Sequence, residues 1–132
     1  MKANELRHKN LVNYHGKAIE VFGVLGNVIY YNDGKCHDSN IGDYIAFEPI
    51  PLTPEWLERL GWIKHETFYS KPYGRNGVAI VKYEHAYKSF CYQLGTGHTK
   101  VLDHVHQLQN LHYAITGTEL TLTGPKTTKQ NG

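Results

Sequence analysis

Two cysteines in 132 residues, Cys36 and Cys91, leave no disulfide framework and no Cys-x-x-Cys pair for metal or redox work. No apolar run approaches the length of a membrane span, and no signal-peptide pattern opens the chain. A cytoplasmic setting with reduced thiols is therefore expected, and no membrane partner. Carboxylates occur singly along the chain, so no paired-carboxylate site can be assembled from neighbours. The glycine pairs of Gly74 to Gly77 and Gly95 to Gly97 do not make Gly-x-Gly-x-x-Gly, and no Walker loop is present. Dense Lys/Arg blocks are missing too, and the net charge is only +2, which does not demand a nucleic-acid partner. These absences argue against an enzyme, and no cofactor is called for.

What is present suits a folded chain. Hydrophobic residues make up 40% and charged residues 20%, a balance that argues against wholesale disorder. The length fits one domain, expected over residues 1–123 and followed by a polar, mobile tail at 124–132. Nine His could raise the positive charge considerably below about pH 6.5.

The pattern predicts an α+β protein: a small curved antiparallel sheet or SH3-like barrel, with one short and one longer helix. Leu11 to Tyr14 reads as a strand, turned by His15-Gly16-Lys17. Ala18 to Leu25 follows with Ile19, Val21 and Val24 inward, then Gly26-Asn27 turns into Val28 to Tyr31. Asn32-Asp33-Gly34 is a strong turn signal, because these residues tolerate positive φ. Cys36 to Gly42 reads as loop and Tyr44 to Phe47 as strand. Thr53, Pro54 and Glu55 then open a short helix over Pro54 to Leu60, with Gly61 as its stop. Trp56 and Trp62 are read as core packing. Strands are expected at Trp62 to Ser70, Val78 to Glu84, Ser89 to Leu94 and Val101-Leu102, with hairpin loops at Lys71 to Gly77 and Gly95 to Thr99.

The longer helix, from about Asp103 to Thr116, carries the most specific signal. From Val105 onward it contains no Lys, Arg, Asp or Glu, whereas a solvent-facing helix normally carries charge on its outer face. Asp103 is expected to cap it and Gly117 to end it. Val105, Leu108, Leu111 or His112, and Ile115 form an apolar stripe. His106, Gln109, Asn110 and Tyr113 lie to another side, and their neutral hydrogen-bonding groups suit a ligand or a protein surface. A final strand is expected at Glu119 to Leu122.

Three segments support a resemblance. Asn10-Leu11-Val12-Asn13-Tyr14, Pro49-Ile50-Pro51-Leu52-Thr53-Pro54-Glu55-Trp56-Leu57 and Val105-His106-Gln107-Leu108-Gln109-Asn110-Leu111 resemble a family of small, largely uncharacterised proteins of Bacteroidetes and their phages. Its usual motifs read I-P-L-T-E-E-W-L and Y-V-H-Q-L-Q-N-L-Y-F-A-L-T-G. Here His104 stands where that family has an aromatic, and His112-Tyr113 stand for Tyr-Phe. The resemblance carries no catalytic assignment. It implies a phage or mobile-element accessory protein acting in a bacterial cytoplasm.

On that basis the expected function is capture of a nucleotide-derived small molecule, a host immune signal, without catalysis. His106, Gln109, Asn110 and Tyr113 would meet base or ribose edges, with Tyr14, Tyr73 and Arg75 adding stacking and charge, within a homo-oligomer. Direct inhibition of a host protein through Tyr30, Tyr31 and Tyr73 is an alternative. Nucleic-acid binding is less favoured, because Lys9, Lys17, Lys35, Arg75, Lys82 and Lys88 are dispersed among acids. The same helix face can instead pack against the sheet, with Gln and Asn satisfying backbone groups at sheet ends. A metal site at His104-x-His106, completed by Cys36, His37 or His98, is disfavoured because i and i+2 positions on a helix point apart.

Overall fold

The computed structural model describes residues 6–25, 28–32, 40–43, 47–94 and 99–122. The Gly26-Asn27 turn, Asp33-Gly34, Cys36, His37, Tyr44 to Ala46, Gly95 to His98 and the tail at 124–132 lie outside the described residues. The chain divides into two compact units: residues 1–51 with 104–110, and residues 52–103 with 111–132. The fold class is α+β.

The first unit contains strands β1 (Leu11–Tyr14), β2 (Lys17–Leu25), β3 (Val28–Asn32), β4 (Asn40–Asp43) and β5 (Phe47–Glu48). They form an antiparallel sheet in the order β4-β3-β2-β1-β5. β4 begins inside the segment expected to be loop. The β1–β2 turn uses Gly16 at φ +78°, and His15 also takes a left-handed conformation. Period-two alternation along β2 puts Ile19 and Val21 inward, as the pattern requires. A bulge between Val21 and Gly23 then shifts the register against β3 and leaves Phe22 exposed, in keeping with the extra residue that a bulge inserts. Leu6, Val12, Ile19, Val21, Ile29 and Phe47 make the core of this unit.

The second unit opens with helix α1 (Pro54–Arg59). Thr53 Oγ1 accepts from the Trp56 amide, Pro54 occupies the first turn, and Gly61 takes φ +88° just past the end. Leu57 and Leu60 are fully buried, while the Arg59 guanidinium sits 4.1 Å over the Trp56 ring. Strands β6 (Ile63–Lys64), β7 (Tyr69–Tyr73), β8 (Gly77–Glu84), β9 (Ser89–Gln93) and β10 (Thr99–Leu102) follow. They form a second antiparallel sheet in the order β10-β9-β8-β7-β6.

Among the described residues neither sheet closes on itself, so the arrangement is two open sheets and not an SH3-like barrel. Two strand expectations are also corrected. The single strand expected at Trp62 to Ser70 is broken by a turn in which the His65 amide donates to Phe68 O at 2.8 Å. Among the described residues Glu119 to Leu122 is not a strand, although Leu120 is buried.

Gly77 faces Tyr73 across the β7–β8 hairpin. A Cβ at position 77 would fall 2.5 Å from Tyr73 Cε2, so the ring lies over bare backbone. An aromatic ring covering a strand glycine compensates for the missing side chain. Gly77→Ala forces the ring aside and is expected to cost about 1–2 kcal/mol. Urea unfolding measures that cost, and an unchanged midpoint would show that Tyr73 relaxes freely.

Helix α2 (Val105–Thr116) contributes its start to the first unit and its remainder to the second. Its N-terminal cap differs from the expected one. Asp103 Oδ1 accepts from Ser89 Oγ at 2.7 Å, and it is Gln107 Oε1 that reaches back to the His104 amide at 3.0 Å. This is the return half of a capping box, with His104 in the capping position. Gly117 ends the helix at φ +73°, its amide bonded to Tyr113 O at 2.8 Å. No helix among the described residues is long and apolar enough to cross a membrane.

Candidate functional site

The uncharged helix has a buried face that is half polar. Val105, His106, Leu108, Gln109 and His112 are all buried, with His106 and Gln109 each 1% exposed. Ile115, assigned to the apolar stripe by periodicity, is exposed instead. Tyr113 is 43% exposed, so the shielding expected for the polar side reaches His106, Gln109 and Asn110 but not Tyr113.

Gln109 spans two backbone groups of the N-terminal segment. Its Oε1 accepts from the Leu11 amide at 2.8 Å and its Nε2 donates to Lys9 O at 3.0 Å. Lys9 has φ +78°, a conformation that a non-glycine residue keeps only when its surroundings hold it. Beside it, Asn110 Oδ1 accepts from Arg7 Nε at 2.9 Å and from Asn10 Nδ2 at 2.8 Å. Arg7 also donates to Gln109 O at 3.2 Å, and Asn10 Oδ1 accepts from the Arg7 amide at 2.7 Å. The segments around Asn10 and around Gln109, on which the family resemblance partly rests, are thus hydrogen-bonded to each other. The Pro49 segment takes part as well: Ile50 O accepts from the Val105 amide at 2.8 Å.

The other expected site residues are dispersed. Tyr14 stacks on Phe47 at 4.4 Å between ring centroids and touches Tyr31 at 4.9 Å. Tyr73 meets the His112 ring edge-on at 6.2 Å. Arg75 is exposed on the hairpin turn after β7. His104 precedes the helix, and its ring lies 5.9 Å from that of His106 at 13°, so the two imidazoles do not diverge as a purely helical spacing would require. Among the described residues no group of three or more His, Cys, Asp or Glu is placed to hold a metal ion. Cys91 is a buried free thiol; burial pushes its pKa up, with Glu84 and Asp103 adding to the shift. Both effects disfavour the reactive thiolate.

His112 occupies an aromatic surround in the second unit. Its Nδ1 is 2.9 Å from Tyr92 Oη, and Trp62 meets its ring edge-on at 5.5 Å. Burial, with the nearby Lys71 charge, holds the imidazole pKa down to about 4, and burial with Tyr73 pushes the Tyr92 phenol up to about 12. Both groups are neutral at pH 7.

The second unit also carries a cleft of about 680 Å³ that no local motif announced. This volume lies within the range of pockets that hold drug-sized ligands, about 300–1,000 Å³. Lys64, His65, Phe68, Lys82, Tyr83 and His85 line it, together with buried Tyr69 and Phe90 and with Glu66. The His65–Phe68 turn between β6 and β7 forms one part of the lining, with the two rings stacked at 4.4 Å and 17°. Tyr83 forms another, braced edge-on by Phe90 at 5.3 Å and by His85 at 5.1 Å. His65 Nε2 lies 2.7 Å from Ser70 Oγ. That distance would suit a nucleophile and its base, but Ser70 is buried and is not part of the cleft lining. The hydroxyl instead fixes the imidazole plane. What the arrangement offers is flat π surfaces, two ammonium groups and imidazole donors.

Sequence reasoning missed this cleft because His65-Glu66-Thr67-Phe68 contains no Gly, Pro or Asn to signal a turn. The available signal was basic–aromatic interleaving, in Lys64-His65 and again in Lys82-Tyr83-Glu84-His85. Comparison with models of known families, with curated proteins and with solved structures finds no match for the chain.

Proposed function

We propose that this protein captures a nucleotide-derived small molecule without catalysis, and that the cleft of the second unit is where it does so. The observation that carries the reading is the cleft lining: stacked and braced aromatic rings beside two lysines. Bases stack on aromatic faces, and ammonium groups meet phosphate as strong charge-assisted donors. Gln109 and Asn110, the helix amides expected to meet the ligand, are spent within the chain. Their part in the proposal is to hold the N-terminal segment in place. The resemblance to phage-borne proteins supports a setting in which stoichiometric capture silences a host signal in a bacterial cytoplasm.

Titration calorimetry with adenosine monophosphate, ADP-ribose and cyclic dinucleotides tests the reading. At least one of these is expected to bind, and Lys64→Ala with Lys82→Ala to weaken it more than tenfold, since each lost charge-assisted contact is worth about 1.5 kcal/mol or more. Absence of heat at high ligand excess, or equal binding by the doubly substituted protein, would defeat it.

A further inference from the structure

The geometry points to a ligand of at least two nucleotides, a short single-stranded oligonucleotide, linear or cyclic, rather than a mononucleotide. This rests on the nucleotide reading of the cleft and extends it. Stacking surfaces occur at separate places: the His65–Phe68 stack and the braced Tyr83 ring within the cleft, then Tyr87 beyond it. Tyr87 is 59% exposed on the four-residue turn that joins β8 to β9, two residues past the cleft's His85. The turn is held by the Tyr87 amide on Glu84 O at 3.1 Å, and Lys88 beside it takes φ +52°. The bonded turn fixes the backbone beneath Tyr87, so only the ring itself has to be ordered when a base stacks on it.

Cations accompany the rings. Lys64 and Lys82 line the cleft, and exposed Lys88 follows Tyr87 on the turn. Alternating rings and cations are the arrangement with which proteins follow a single strand: bases stack and the backbone meets lysine. One base and one phosphate would leave Tyr87 and Lys88 unused. Glu66 in the lining opposes a ligand held by charge alone, so stacking has to contribute much of the affinity.

Fluorescence anisotropy and calorimetry with AMP, linear pApA and cyclic di-AMP test this on the full chain. One of the two dinucleotides is expected to bind at least tenfold tighter than AMP. Contacts from Lys64, Lys82 and Lys88 to the two phosphates of either dinucleotide predict a slope of log K against log salt of about −1.4. Tyr87→Ala is expected to abolish the gain on going from one nucleotide to two while leaving AMP affinity and Tm within error. AMP and both dinucleotides binding equally would overturn the inference and leave mononucleotide capture standing. A gain that survives Tyr87→Ala would also overturn it, since the second stacking place would then lie elsewhere. Binding of none of the three would overturn the inference, and if ADP-ribose also failed to bind it would remove the nucleotide reading itself.

Discussion

Gln109→Ala is expected to lower the free energy of unfolding by about 3 kcal/mol. The side chain is buried and serves a backbone amide and a backbone carbonyl at once, Leu11 N and Lys9 O. Truncation leaves both without this partner, and an unsatisfied buried polar group costs about 1–3 kcal/mol. It also loosens Lys9, whose left-handed backbone is tied at the carbonyl by this contact. Substitution at exposed Lys17 is expected to change stability by no more than about 0.5 kcal/mol. Urea unfolding of the two variants makes the comparison, and hydrogen exchange at Leu11 reports the segment directly. A Gln109→Ala protein as stable as the parent would mean that the amide bridge is dispensable.

Acidification is expected to destabilise the folded protein through His112. An imidazole with a folded pKa of about 4, against an ordinary 6.5, binds its proton more weakly in the native state than in the unfolded one. Stability from this group is therefore complete above pH 6.5 and declines as pH falls from 6.5 to 4. Linkage gives a loss of about 2 kcal/mol by pH 5 and about 3 kcal/mol by pH 4. The structural cause is visible. A protonated ring donates from both nitrogens; Nδ1 has Tyr92 Oη, but Nε2 is buried and finds no hydrogen-bond partner among the described residues. His112→Asn keeps a polar group near Nδ1 and removes the titration. Its unfolding free energy should be lower at pH 7 but much flatter between pH 7 and 4.5. Parallel pH profiles for the two proteins would place the acid sensitivity in other groups.

Both predictions concern histidine and amide groups on one helix, and they separate what local pattern reveals from what it conceals. The caps of α1 are encoded in adjacent residues: Thr53 can cap, Pro54 fits a first turn, Gly61 tolerates positive φ. Such features depend on backbone sterics within a few residues, so they can be read without knowing the rest of the chain. Strand β1 and the inward set of β2 are legible for a similar reason, because alternation follows from the pleat. The end of α2 at Gly117 belongs to the same class.

Partners are another matter. Periodicity identifies a polar side on α2, but not that Gln109 meets Lys9 and Leu11, about a hundred positions away, or that Ile115 is left outside. The helix begins one residue later than Asp103 implied, with His104 in the capping position and its amide bonded to Gln107, while Asp103 accepts from Ser89, fourteen positions earlier. The break at His65 to Phe68 is a consequence of how β6 and β7 pair, since no residue there requires a turn. Local sterics and hydrophobic alternation therefore determined the α+β class, many of the strands and both helices of this chain. Tertiary packing decided which polar groups are spent in holding it together and which rings and lysines, from residue 64 to residue 90, share one cleft. Hydrogen bonds and burial between distant segments depend on where the backbone places them, and residue spacing alone contains no measure of that distance.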